Sequence, residues 1–200
     1  MVVSVYKGVG VSVKLIILGG PGAGKGTQAS QLCQFLSIPH ISTGTILREA
    51  IAAHSDLGKQ VQSYVAQGEF VPDKIMIELI RQRLQQPDSQ QGWLLDGYPL
   101  TAFQAEELDF LLDSLEQRID WAIWLEVPNA VLVERSLERS RSDDQPDVVH
   151  RRLELIQERT VPILDYYGYR KRLLKIDGNQ SMEQVQQAIR QALGQGSTEA

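Results

Sequence analysis

A single cysteine, Cys33, stands in the 200 residues. One thiol cannot close an internal disulfide, so a stapled mini-protein is excluded and a reducing, cytoplasmic setting is expected. The three histidines, His40, His54 and His150, show no metal-ligand spacing. No stretch reaches the roughly 20 consecutive apolar residues of a membrane helix. Residues 1–12 carry one lysine but no apolar segment with a small-residue cleavage site, and read as an N-terminal extension rather than a signal peptide. Positive charge is in short supply: 20 Lys and Arg face 25 Asp and Glu, a net charge of -5. This argues against broad binding to nucleic acid or an anionic membrane, so any polyanion must meet a concentrated local cluster. Internal repeats are missing, as is an Asn-Lys-x-Asp guanine-reading motif, which disfavours a GTPase.

What is present is an ordinary globular mixture, 42% hydrophobic and 22% charged. From Val13 onward, short β-rich runs alternate with helical patterns. VKLIILG precedes GKGTQASQLCQFL, where Ala29, Leu32, Cys33 and Leu36 share one helical face; Cys33 is therefore expected to be packed rather than reactive. Further strands are expected at Pro39–Ser42, Trp93–Asp96, Trp121–Val127 and Leu173–Ile176, giving five parallel strands between layers of helices. Thr101 with Gln104 and Ser181 with Gln184 have capping-box spacing, and Pro72 suits a first helical position. Met182, Val185, Ile189 and Leu193 form a stripe expected to cover the sheet. Pro162 within an apparent helix marks a kink. Two stretches leave the alternation: residues 42–71, helical but poor in apolar side chains, and residues 140–146, polar and turn-like.

Gly19-Gly20-Pro21-Gly22-Ala23-Gly24-Lys25-Gly26-Thr27 follows a strand and opens a helix. Glycines let the chain curl until successive N–H groups point inward at phosphate oxygens, and the helix N-terminus adds positive potential. Lys25 neutralises charge on the β and γ phosphates. A ligand-free glycine turn would not need the lysine. Gly26 stands where Ser or Thr commonly follows the lysine, and Thr27 comes one place later.

The chain from Lys14 onward resembles the adenylate kinase family of nucleoside monophosphate kinases. The likeness rests on GGPGAGKGT, HISTG with Arg48, VPD at Val71–Asp73, LLDGYP at Leu95–Pro99 with Gln104, the arginine-rich Arg135–Arg152 segment, and TVPILDYY at Thr160–Tyr167, in that order. It implies an α/β phosphate-loop three-layer sandwich with a five-stranded parallel sheet. Residues 13–41, 72–138 and 147–200 would form the core, residues 42–71 a flap over the monophosphate, and residues 139–146 a short lid without structural zinc. It implies a monomer acting on ATP and a nucleoside monophosphate with Mg2+.

The nucleophile in such a reaction is a phosphate oxygen, largely dianionic at pH 7, so no general base is needed. The task is to bring two polyanions together without water, which calls for cations on closing segments. By the resemblance, Gly22, Ala23, Gly24, Lys25, Gly26, Thr27, Arg135 and Arg139 bind ATP. Thr43, Arg48, Val71, Gly97, Gln104, Arg141 and Arg152 meet AMP. Lys25, Arg139, Arg141 and Arg152 act on the transferring group, and Asp96 holds Mg2+ through water. Asp143 and Asp144 resemble lid aspartates that grip arginines on closure. Plainer readings stand beside these: a solvated mixed-charge helix for the arginines, a strand-end turn for Asp96, a helix cap for Thr43 and for Gln104.

Two positions depart from the family. Leu100 stands where an arginine binds the acceptor phosphate, and Thr45 where an aspartate is usual. Losing one charge-assisted contact costs roughly 1.5–3 kcal/mol, about 10 to 100-fold in affinity. Transfer from ATP to AMP is the first expectation. A kinase for UMP or CMP, or a weakened ATP-binding regulatory module, are the alternatives.

Overall fold

A computed structural model describes residues 12–139, 141 and 143–196; most of the expected N-terminal extension, parts of the expected lid and residues 197–200 fall outside it. Five parallel strands form the sheet: β1 (Val13–Leu18), β2 (His40–Ser42), β3 (Gly92–Asp96), β4 (Trp121–Glu126) and β5 (Leu173–Asp177), in the order β2-β3-β1-β4-β5. Each expected strand is present to within about one residue at either end, because a run buried on both faces reads as continuous apolar sequence. In β1 every residue is buried.

Alternation splits those strands between two cores. Ile16, Leu18, Trp93, Leu95 and Ala122 face α4 (Asp73–Leu84), α5 (Ala102–Ser114) and α8 (Val161–Tyr169). Leu15, Ile17, Leu94, Ile123 and Leu125 face α1 (Lys25–Leu36) and α9 (Met182–Gly196). Cys33 packs in the second core, and burial pushes its thiol up to about 12. The buried stripe on α9 begins at Val185, not at Met182, which is the first residue of the helix and is 46% exposed.

Several helices start on a side-chain cap. Thr101 accepts from Gln104 N–H, and Ser181 and Gln184 form the reciprocal pair. Pro72 sits one place earlier than expected, as the residue before α4. Residues 42–71 fold as α2 (Thr43–Ala52) and α3 (Asp56–Gln67), capped by Ser42 and Ser55. The cap of α2 is thus Ser42, not Thr43, which is buried and donates from Oγ1 to Asp96 O at 3.2 Å. After α6 (Asn129–Arg139), α7 (Pro146–Leu155) runs into a π-helical turn, Ile156–Thr160, directly before Pro162 in α8. The expected break in that long helix therefore lies mainly in the turn preceding the proline.

Candidate active site

In a parallel sheet, ligands gather beyond the carboxyl ends of the strands where the strand order reverses. Here that point lies around β1. Ile17 pairs with Asp96, Ser42 pairs with Asp96 on its other side, and the phosphate loop leaves β1 immediately afterwards. Register therefore sets the acidic strand end beside the loop. A cavity of about 670 Å³ opens above it.

Gly24, the residue before α1, has φ +87, a region that L side chains rarely adopt, and a Cβ there would meet nothing within 4 Å. Conformation rather than crowding demands this glycine, and the space it faces is free for a ligand. Lys25 Nζ donates to Gly19 O at 2.8 Å and Gly20 O at 2.9 Å. Burial holds its pKa below the ordinary lysine value; Asp96 opposes that, and Arg139, Arg141 and Arg152 add to it.

The arginines arrive from separate segments. Arg48 comes from α2, Arg135 and Arg139 from α6, Arg141 from the following loop and Arg152 from α7, and all line the cavity. Arg139 clasps Asp144 with Nε and Nη2 at 2.9 and 2.7 Å. Arg152 donates to Asp143 Oδ2 at 2.6 Å and to Val65 O at 3.2 Å. Arg135 donates to Gly178 O and Asn179 Oδ1. Burial lowers the Arg141 pKa, as do the charges of Arg139 and Arg48. Five arginines and Lys25 around one cavity make a site suited to a polyphosphate, which would supply the opposing negative charge.

The remaining expected residues, Gly22, Ala23, Gly26, Thr27, Thr43, Val71, Asp96, Gly97 and Gln104, line the same cavity. Asp96 is 8% exposed, with Oδ2 at 3.5 Å from His40 Nε2. A Cβ on Gly26 would stand 3.7 Å from that oxygen, so the missing side chain leaves room beside the carboxylate. The Gln104 side chain does not complete the expected capping box on α5: its Oε1 accepts from Leu100 N–H instead of Thr101 N–H, and its Nε2 donates to Asp73 Oδ1. Leu100 also lines the cavity, together with Leu47, Phe70, Met76 and Ile156. Leu100 was expected here as the departure from the family's acceptor site; sequence reasoning assigned no role to Leu47, Phe70, Met76 and Ile156, nor to His40 and Asp73. Their only signal was membership of HISTG, VPD and neighbouring runs that read as core. Among the described residues, no cluster of three or more His, Cys, Asp or Glu could hold a metal, and no helix is long and apolar enough to cross a membrane.

The family model for adenylate kinase matches residues 17–172. This chain belongs to the adenylate kinase family. It is 60% identical over 177 residues to adenylate kinase 2 of Nostoc sp., covering 88% of this chain and 96% of that protein. Against adenylate kinase 2 of Synechocystis sp. the identity is 50%, covering 88% and 98%. Against the adenylate kinase of Thermosynechococcus vestitus it is 44%, covering 92% and 98%. Membership makes the chain a phosphotransferase with the three-layer fold described above, and the phosphate loop, strand-end Asp96 and arginine cluster occupy one cavity of that adenylate kinase fold.

Proposed function

We propose that this chain catalyses reversible in-line transfer of a phosphoryl group from MgATP to a nucleoside monophosphate, AMP foremost, yielding two molecules of ADP. One observation carries the reading: Arg48, Arg139, Arg141 and Arg152, brought from α2, α6, the following loop and α7, surround the same cavity as Lys25. Residues 22–27 cradle the donor phosphates through backbone N–H groups, with Lys25 turning from its loop carbonyls to the incoming oxygens. Arg48 takes the acceptor phosphate. Arg139, Arg141 and Arg152 stabilise the charge of the transferring group, where their donor forks match phosphate oxygens.

Asp143 and Asp144 hold two of those forks in position until phosphate competes for them. Thr43, Val71, Gly97 and Gln104 form the acceptor wall, and Arg135 borders the donor side. Residues 42–71 serve as the acceptor flap and residues 139–146 as a lid, on a core of residues 13–41, 72–138 and 147–200. Closure of both keeps water from accepting the phosphoryl group.

Mg2+ is a hard cation satisfied by carboxylate, phosphate and water oxygens, which fits Asp96 and the free space beside Gly26. When bound, the ion would neutralise charge on the donor phosphates, with Asp96 holding it through water. The expected monomer is kept as part of this reading.

Leu100 in the cavity wall favours a second reading, a weakened acceptor site on an intact donor site. Coupled detection of ADP with MgATP and, in parallel, AMP, CMP, UMP, GMP or IMP tests both. The expected result is fastest turnover with AMP. Measurable ATP affinity with no product from any acceptor would overturn the kinase in favour of a regulatory module.

A further inference from the structure

The Gln104 amide is held at both ends. Its Oε1 accepts from Leu100 N–H at 2.7 Å, and its Nε2 donates to Asp73 Oδ1 at 2.7 Å. Each partner works in one direction only, because a peptide N–H can only donate and a carboxylate can only accept. Turning the amide over would set oxygen against carboxylate and NH2 against N–H. The frame around it is also bonded. Thr160 Oγ1 donates to Leu100 O at 2.9 Å, Gln104 N–H donates to Thr101 Oγ1 at 3.1 Å, and Tyr98 OH donates to Gln104 O at 3.2 Å. Gln104 is 1% exposed yet lines the cavity.

We propose that Asp73, the first residue of α4, is a positioning residue that sets base specificity by locking the orientation of the Gln104 amide. The proposal rests on Gln104 being the base reader, as in the function above. With one Nε2 hydrogen given to Asp73 and one Oε1 lone pair given to Leu100, one donor and one acceptor remain for the base. That pair matches an edge with a ring-nitrogen acceptor beside an exocyclic amino group, as in adenine and cytosine. It opposes the N–H and carbonyl edge of hypoxanthine, guanine and uracil. A free amide could rotate to suit either kind of edge. The locked one cannot, so discrimination comes from the unmatched groups left by the wrong base.

The test is the ratio of kcat/KM for AMP to that for IMP, which differ at this edge. Wild type should favour AMP by more than about tenfold, as expected of a site built to hydrogen-bond. Asp73→Ala removes the acceptor, and Asp73→Ser draws it back by one bond out of reach of Gln104 Nε2 while keeping an oxygen suited to a helix start. Each should lower the ratio about tenfold, through a higher KM for AMP, with the KM for ATP unchanged. Asp73→Asn retains a carbonyl acceptor and should restore most of the ratio. A carboxylate that merely favours the N-terminus of α4 would change thermal stability and leave the ratio alone. A ratio within threefold of wild type in the folded Ala or Ser variant overturns the proposal, as does a wild type indifferent to the base. Gln104→Ala separates the two levels. If it leaves the ratio intact, the base-reading assignment itself fails; if it collapses the ratio while the Asp73 variants do not, only the positioning role fails.

Discussion

Individual side chains in this cavity follow from charge more than from shape. Leu100 occupies the wall where the family resemblance places a cation, and an apolar side chain offers a phosphate no hydrogen bond. Leu100→Arg is expected to lower the KM for AMP by about 10 to 100-fold, with little change in the KM for ATP. Initial-rate measurements at fixed MgATP check this, and an unaltered acceptor KM would sink the idea that the site is impaired. Asp144 illustrates the opposite charge. Burial alone would raise its carboxyl, but the Arg139 fork, the Arg141 N–H and the charge of Arg152 outweigh burial and hold it below its ordinary 3.8. Such a group binds fewer protons folded than unfolded, so its stabilising contribution is present above pH 3.8 and disappears as the pH falls through the lower folded value. Asp144→Asn should therefore melt below wild type at pH 7, and the difference should shrink as the pH is taken under 3.8. Thermal melts across that range would refute this if the gap stayed constant.

Between helices, backbone proximity takes over. Gly58 in α3 lies against α2 so closely that a Cβ there would collide with the Ala50 carbonyl oxygen. Alanine is normally about 1 kcal/mol better than glycine inside a helix. Here the collision is with backbone, which cannot step aside as a side chain could, so Gly58→Ala should instead cost about 1–3 kcal/mol. A lowered denaturation midpoint with unchanged denaturant slope is the expected outcome, and a stabilised variant would show that α2 and α3 are less tightly apposed. Residues 42–71 are not short of apolar side chains as expected: Leu47, Val61 and Val71 are buried in the first core, and Ile46, Ile51, Leu57, Tyr64 and Val65 pack against it.

Across the cleft, α3 also touches α7. Arg151 Nε donates to Glu69 Oε1 at 2.6 Å, and Arg152 reaches Val65 O. These contacts join the segment proposed to cover the acceptor to the helix that follows the proposed lid. Arg151 and its partner lie 82 residues apart in the chain. Exposed ion pairs contribute little singly, so Glu69→Arg should raise the KM for AMP only about two- to fivefold. The charge-swapped pair Glu69→Arg with Arg151→Glu should recover it. Kinetics in which the double variant is no better than the single one would exclude this contact from closure.

Local pattern and ordered motifs were enough for the strands, the phosphate loop, the capping of α5 and α9, and the family, because each depends on neighbours within a few residues. Pairings between distant segments were not legible in that way. The grip of Asp73 on Gln104, the seat of Thr43 on the Asp96 carbonyl, and the reach of Arg152 to Val65 join residues 31, 53 and 87 positions apart. Folding alone chooses such partners: they exist only once parallel strands have brought their carboxyl ends to one edge and helices have packed across it. A side chain's neighbours in space are set by that packing, not by its neighbours along the chain.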